Sequence, residues 1–363
     1  MAHQSPPVAG VMATLVIVAL LLACMGAGRA LLWSGGGSTN PRVDGIAGLT
    51  GLALLTGVAG WLVLAGAYSA TAGWVLLALG SFALVADLVR TRAPTRTPLA
   101  GAPRESGSVP VGALALGLLS LVLLVGRVLG EFALPGVYVN DDLPAYWHFP
   151  QLLLESGGFI EPFNIRRLIT LGATPFLQSF FWKNFSIAGP GIADALLGQL
   201  AIWAGARAIP NALSARPQPA WRGEALALAA LIASLALPRA NAMPTLLPMG
   251  GALVLILLTR RVTEADTPAS GIRAAIAWGL VAAWLIGLRI SNAPFPAVLW
   301  LVGALAAALR KDRQQGLRLA VAALATLVGL LPWSFALWRS SGTPLFPLIH
   351  GNYHPGDSLP ATV

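Results

Sequence analysis

The sequence predicts an all-α membrane protein, a polytopic bundle of about ten transmembrane helices (roughly eight to twelve). Of its 363 residues, 56% are hydrophobic and only 10% are charged, and the mean hydropathy is +0.74. A soluble domain of this length carries charge on roughly a quarter of its residues. Apolar runs close to the ~20 residues that span a bilayer recur along the whole chain. These observations exclude a soluble globular protein.

Ten apolar runs are candidate spans. They cover residues 8–28, 45–66, 71–89, 111–130, 187–206, 224–237, 245–259, 272–288, 295–309 and 317–338. No Lys or Arg precedes the first run, so it lacks the basic region of a cleavable signal peptide and is expected to be a retained span. The runs at 224–237 and 245–259 are short, and a re-entrant pair is the alternative there.

A Pro-, Gly- and Ser-rich segment at residues 91–110 is typical of a linker. It divides an N-terminal three-span segment at 1–90 from a transmembrane core at 111–338. The core contains a long outer loop at 131–186, and residues 339–363 form an outer C-terminal segment. No internal repeat is visible in the sequence, so the inverted repeats of secondary transporters are not indicated.

The basic residues alternate along the chain between two sets of loops. Sixteen of the 23 Lys and Arg residues fall in one set, which includes Arg29, Arg90 and Arg310. The positive-inside rule assigns this set to the cytoplasm. The protein is therefore expected in the plasma or inner membrane with both termini, and the loop at 131–186, outside. The net charge of +9 follows from these loops and does not indicate a nucleic-acid partner.

Cysteine and histidine usage gives no sign of a cofactor. The single cysteine, Cys24, lies in an apolar run, which excludes a disulfide framework within the chain. His350, His354 and Asp357 match no metal-ligand spacing. No cofactor is expected; a divalent metal is the alternative that the sequence leaves open, without a motif to support it.

The longest polar interval runs from Gly136 to Arg167 within the outer loop. Its polar and aromatic side chains include Asp141, Asp142, Tyr146, Trp147, His148, Arg166 and Arg167. A short interfacial helix is predicted, with Asp142 as its cap, Pro144 in its first turn and Gly157–Gly158 at its end. The segment at 168–185 is predicted to dip into the outer leaflet or to pack across the bundle.

Carboxylates beside arginines at a membrane surface suit a transfer reaction on a lipid-linked phosphate. A carboxylate takes the proton of an acceptor hydroxyl, and arginine binds phosphate through a two-pronged hydrogen bond. Arg239 and Arg289 are further candidates, because each is followed by Asn and Pro at the outer end of a span. The alternatives are a solvated loop whose charges pair with each other, and arginines that reach the head groups.

The acidic pair and the residues that follow it resemble a known family. Asp142-x-x-x-Tyr146, preceded by Asp141 and followed by a Ser-Gly-Gly turn and Glu161-Pro162, resembles the first outer loop of the GT-C glycosyltransferases. That family includes the protein O-mannosyltransferases and the lipid A aminoarabinose transferases. The pattern departs from the family in having Asp-Asp rather than Asp-Glu, and three spans precede the region of resemblance, residues 114–338.

The resemblance implies a GT-C-like core and a membrane glycosyltransferase of the cell envelope. It implies a polyprenyl-phosphate-linked sugar as donor and Asp142, with Asp141, as the catalytic base. The substrate-binding candidates are Tyr146, His148, Arg166, Arg167, Arg239 and Arg289. Membrane lipids are the other expected partners.

Two other classes of function are compatible with the same residues. One is a transporter or flippase for a lipid-linked or small anionic substrate, and the other is a non-catalytic membrane subunit. Asp194, inside the run at 187–206, either lines a cavity or bonds to a neighbouring helix.

Overall fold

The computed structural model describes residues 6–32, 44–92, 111–133, 148–158, 172–182, 191, 193–214, 218–235, 244–265 and 267–341. Every regular element among these residues is helical. The prediction of an all-α fold is confirmed for this part of the chain. Eight of the helices are long and apolar enough to cross a membrane, as expected of a multi-pass membrane protein.

Twelve α-helices are described. They are α1 (Pro6–Leu32), α2 (Asp44–Leu64), α3 (Ala70–Arg92), α4 (Val111–Ala133), α5 (His148–Ser156), α6 (Ala173–Trp182), α7 (Gln199–Leu213), α8 (Ala220–Leu235), α9 (Leu246–Thr263), α10 (Pro268–Leu288), α11 (Pro294–Arg310) and α12 (Arg313–Ser341). A π-helical turn, Asp194–Gly198, leads into α7, and a 3-10 turn, Ile290–Asn292, joins α10 to α11.

The eight candidate spans are α1 to α4 and α9 to α12. The other two predicted spans, at 187–206 and 224–237, correspond to the region of α7 and to α8, which have 15 and 16 residues. At 1.5 Å per residue, the π-turn and α7 together, Asp194 to Leu213, reach about 30 Å, the thickness of a hydrocarbon core, and the described residues of α8 reach about 24 Å. Helix α8 packs mainly on α4 and α7, not in a re-entrant pair with α9.

Helix α2 lies in the middle of the bundle. It contacts α1, α7, α10 and α12, and most of its length is buried, as is that of α10. The outer positions belong to α3, α4 and α11, which expose large apolar side chains such as Phe82, Val122 and Val302. Helices that are apolar on their exposed face fit a lipid environment.

Small residues bring the first helices together. A Cβ atom on Gly51 of α2 would lie 1.8 Å from the carbonyl oxygen of Cys24 in α1. No side chain fits there, so the two backbones are in direct contact, as is common between membrane helices. Helices α1 and α3 run in the same direction and are joined by an ion pair of 3.0 Å between Arg29 and Asp87.

The bundle has two chemically different ends. The basic end carries Arg29, Arg90, Arg260 and Arg310, at the ends of α1, α3, α9 and α11. The opposite end carries the turn at 65–69, helices α5 and α6, and Arg289. Helices α5 and α6, described parts of the outer loop of the sequence prediction, lie at the opposite end.

Candidate functional site

Most of the predicted site residues lie outside the described part of the chain. These are Asp141, Asp142, Tyr146, Arg166, Arg167 and Arg239. His148 is the first residue of α5, and only its backbone is described. Arg289 is described in full. The structure thus defines α5 within the polar interval, α6 after it, and Arg289, a candidate cation at the end of α10.

Helix α5 ends where the sequence predicts. Gly157 follows Ser156 with a φ of +74°, a left-handed conformation that glycine adopts without strain. A Cβ atom there would lie 2.4 Å from the carbonyl oxygen of Gly66. The amide of Tyr68 donates to the carbonyl of Gly157 at 3.1 Å. The end of α5 is thereby fixed to the turn between α2 and α3.

The apolar face of α5 packs against protein. Pro150 and Leu153 are buried, and α5 contacts α6, whereas Gln151 and Glu155 bond to each other on its exposed side. The expectation of an interfacial helix holds for the amphipathic pattern. Its described apolar residues, however, face α6 and the core rather than lipid.

Helix α6 packs across the bundle, one of the two arrangements that the sequence allows. All described side chains from residue 172 to residue 180 are buried, and α6 contacts α1, α2, α3 and α10. The rings of Phe176 and Phe180 meet edge to face at 5.0 Å. These aromatic residues belong to the core and hold α6 in place.

A hydrogen-bonded pair anchors α6 to the turn at 65–69. The hydroxyl oxygens of Tyr68 and Ser179 lie 2.7 Å apart, and Ser179 donates to the carbonyl of Phe176 at 2.6 Å. The Tyr68 hydroxyl is therefore the donor to Ser179. Burial raises the pKa of Tyr68, so the phenol stays neutral. Its hydroxyl is a structural contact beneath α6, not an available base.

Arg289 stands at the point where α10 ends. The sequence predicts this end from the Asn and Pro that follow, and the structure confirms it. Asn292 donates to the carbonyl of Leu285 at 3.0 Å, and Thr174 of α6 donates to that of Leu288 at 3.1 Å. These bonds satisfy two carbonyls of the last turn without the side chain of Arg289, which is exposed and makes no hydrogen bond or ion pair to the described residues. The Arg289 guanidinium is therefore a cation next to the start of α6.

Asp194 has a structural role. It is buried, and its carboxylate accepts hydrogen bonds of 2.9 to 3.2 Å from the backbone amides of Thr245, Leu246 and Leu247. The partially positive N-terminus of a helix stabilises an anion in this position. Asp194 therefore caps α9 from a neighbouring element, the second of the two alternatives left open by the sequence.

An ion pair that the sequence did not indicate joins α7 to α8. Arg207 Nε lies 2.7 Å from Glu224 Oε1, and the Arg207 guanidinium also stacks over the ring of Trp203 at 5.1 Å. The only signal in the sequence is a glutamate at the start of an apolar run. The pair explains how two charged residues are accommodated between these helices.

No group of three or more potential metal ligands occurs among the described residues. No protein-family model matches the chain, and comparisons with curated proteins and with solved structures also return no match.

Proposed function

We propose that the protein is a membrane glycosyltransferase that moves a sugar from a polyprenyl-phosphate donor to an acceptor hydroxyl at the opposite end of the bundle. That end faces the outside in the orientation proposed from the basic loops. The assignment combines the resemblance carried by Asp141, Asp142 and Tyr146 with the geometry of the helices that flank them.

The observation that carries the proposal is the fixed pair of helices beside an exposed cation. Helices α5 and α6 are anchored to the turn at 65–69 and to the end of α10, and Arg289 lies at that same end. Asp142 precedes the first residue of α5 by six residues, and Arg167 precedes Gly172 by five. A chain of six residues extends at most about 20 Å. This short spacing along the chain supports a site at the same end of the bundle as Arg289.

The proposed reaction divides the work between the carboxylates and the arginines. Asp142, with Asp141 beside it, takes the proton of the acceptor hydroxyl. The acceptor oxygen forms a bond to the anomeric carbon of the sugar, and the bond from that carbon to the phosphate oxygen breaks. The leaving group is polyprenyl phosphate, whose negative charge Arg289, Arg166 and Arg167 stabilise. Arg239, Tyr146 and His148 complete the proposed substrate contacts.

The distribution of charge favours a transferase over a proton-coupled transporter. In the eight candidate spans, the described charged residues lie within about two turns of a helix end, for example Arg29, Arg127 and Arg260. Ionisable groups that relay protons or ions are expected near the bilayer midplane. The described spans place none there.

Mass spectrometry of lipid-linked and cell-surface glycans tests the proposal. Cells that lack the protein should accumulate the polyprenyl-phosphate sugar and lose one surface glycan. Wild-type protein should restore that glycan, as should the control Asp312→Asn, a change at the exposed basic end. Asp142→Asn should not restore it. Full restoration by Asp142→Asn, or unchanged glycans in the deletion strain, would contradict the proposal.

A further inference from the structure

A cavity of about 240 Å³ opens at the basic end, far from the proposed reaction site. It lies between the start of α2 and the ends of α7 and α9. The lining residues are Ile46, Ala208, Asn211, Ala212, Leu257, Arg260, Arg261 and Glu264. The wall is apolar on the side of α2 and α7 and basic at the end of α9.

The two arginines of the cavity differ in their contacts. Arg260 bonds to the carboxylate of Glu264 and donates to the carbonyl of Asn211 at 3.4 Å. Arg261 makes no hydrogen bond or ion pair with any described residue, although it is half-buried in the cavity wall. A guanidinium that is partly removed from water and lacks an acceptor is stabilised by an anion.

A third arginine adds positive charge at the end of α9. Arg318 of α12 is buried and donates to the carbonyls of Val262 and Ala265, at 3.0 and 3.4 Å. These acceptors are backbone groups at the C-terminus of α9, so no carboxylate cancels the Arg318 charge within the described residues. The bond to Val262 satisfies an α9 carbonyl that would otherwise repel an anion.

We infer that this cavity binds the phosphate head group of an anionic phospholipid, held by Arg261, with the glycerol and upper acyl chains against Ile46, Ala208 and Leu257. Two features favour a lipid. The cavity lies at the ends of α2, α7 and α9, of which α2 and α9 are candidate spans, and it combines an apolar wall with a basic rim. Basic pockets between membrane helices are a known setting for anionic head groups.

The inference concerns the end of the bundle remote from α5, α6 and Arg289, so it does not depend on the proposed glycosyl transfer. A variant that loses lipid binding but keeps glycosyl transfer, or the reverse, distinguishes failure of the lipid-binding inference from failure of the proposed function.

Native mass spectrometry of the full-length protein measures the binding directly. The detergent-purified protein is titrated with phosphatidylglycerol and with phosphatidylcholine of the same acyl chains. Wild type should prefer phosphatidylglycerol, and Arg261→Gln should lower that affinity at least about tenfold, as expected for loss of a charge-assisted hydrogen bond. Ala208→Leu, which narrows the cavity without changing charge, should lower it as well.

The matched control is Arg310→Gln, an exposed arginine at the same end that does not line the cavity. It should leave the affinity within about twofold of wild type, since solvent screens its charge. An equal loss in Arg310→Gln would indicate general attraction to a basic surface and overturn the inference. Equal competition by glycerol 3-phosphate would indicate a site for a free phosphate and overturn it too. Unchanged phosphatidylglycerol binding in Arg261→Gln would also overturn the inference.

Discussion

Asp194 and Arg318 are buried charges at opposite ends of α9. Asp194 accepts from the first amides of the helix, and Arg318 donates to the carbonyl of Val262 in its last turn. Each sign matches the helix dipole at its end. Neither charge is available for chemistry, because each satisfies backbone groups that have no partner within the helix.

Replacing Asp194 by Asn should lower the free energy of unfolding by about 2 kcal/mol, because a charged acceptor of several amides becomes a neutral one. Asp312→Asn is the matched control. Asp312 is exposed and accepts only the Gln315 amide at 3.0 Å, and Asn caps a helix about as well as Asp, so a change of a few tenths of a kcal/mol is expected. Tryptophan fluorescence during thermal unfolding in detergent measures both. Equal midpoints for the two variants would refute the capping role.

Some of the local contacts are predictable from the sequence and others are not. The turn after α5 is predictable because Gly157–Gly158 sits directly after a short amphipathic run. The role of Asp194 is not, because its partners are about fifty residues further along the chain. The Arg207–Glu224 pair is hidden for the same reason. Hydropathy counts both residues as charged without showing that each neutralises the other.

At the scale of elements, direct backbone contact orders the first three helices. Gly51 meets the carbonyl of Cys24, and Gly26 of α1 faces the backbone of Gly80 in α3. The sequence predicts these helices from their hydropathy. The sequence does not predict which helix faces meet, because its apolar pattern does not distinguish a glycine that contacts a helix from one that contacts lipid.

Gly51→Ala should separate α1 from α2 and lower the free energy of unfolding by at least about 2 kcal/mol, since the new methyl group overlaps backbone atoms. Gly48→Ala is the control in the same helix. Its Cβ would meet only the Met25 sulfur, at 3.5 Å, and alanine favours helix, so a change within about 1 kcal/mol is expected. Thermal unfolding of the two variants distinguishes them, and a Gly51→Ala protein as stable as Gly48→Ala would contradict the observed packing.

At the scale of the whole molecule, the N-terminal helices and the later helices share one core. The linker at 91–110 suggests a division in the sequence, yet α2 contacts α10 and α12 directly. Span prediction cannot show this, because it treats each apolar run separately. In the candidate site, the positions of Arg289 and of the end of α5 are predictable from the sequence, whereas the burial of α6 is not.

The orientation of the bundle predicts which end reacts with an impermeant reagent. Cys24 is the single cysteine of the chain and is buried. A cysteine introduced on a Cys24→Ala background is therefore the only thiol that can react. Ser291→Cys, at the opposite end, should be labelled by a membrane-impermeant maleimide in intact cells. Lys311→Cys, at the basic end, should be labelled only after permeabilisation. The reverse pattern would invert the proposed topology and move Arg289 to the cytoplasmic side.

The most direct test of the proposed function is release of polyprenyl phosphate from a polyprenyl-phosphate sugar by the purified full-length protein. The protein is placed in lipid nanodiscs, and membranes from cells that lack it supply the acceptor. Wild type and Asp312→Asn should release the lipid phosphate with transfer of the sugar. Asp142→Asn should slow this release by about 10²- to 10⁴-fold, as expected for loss of a general base. Release by Asp142→Asn at the wild-type rate, or none by wild type, would contradict the account.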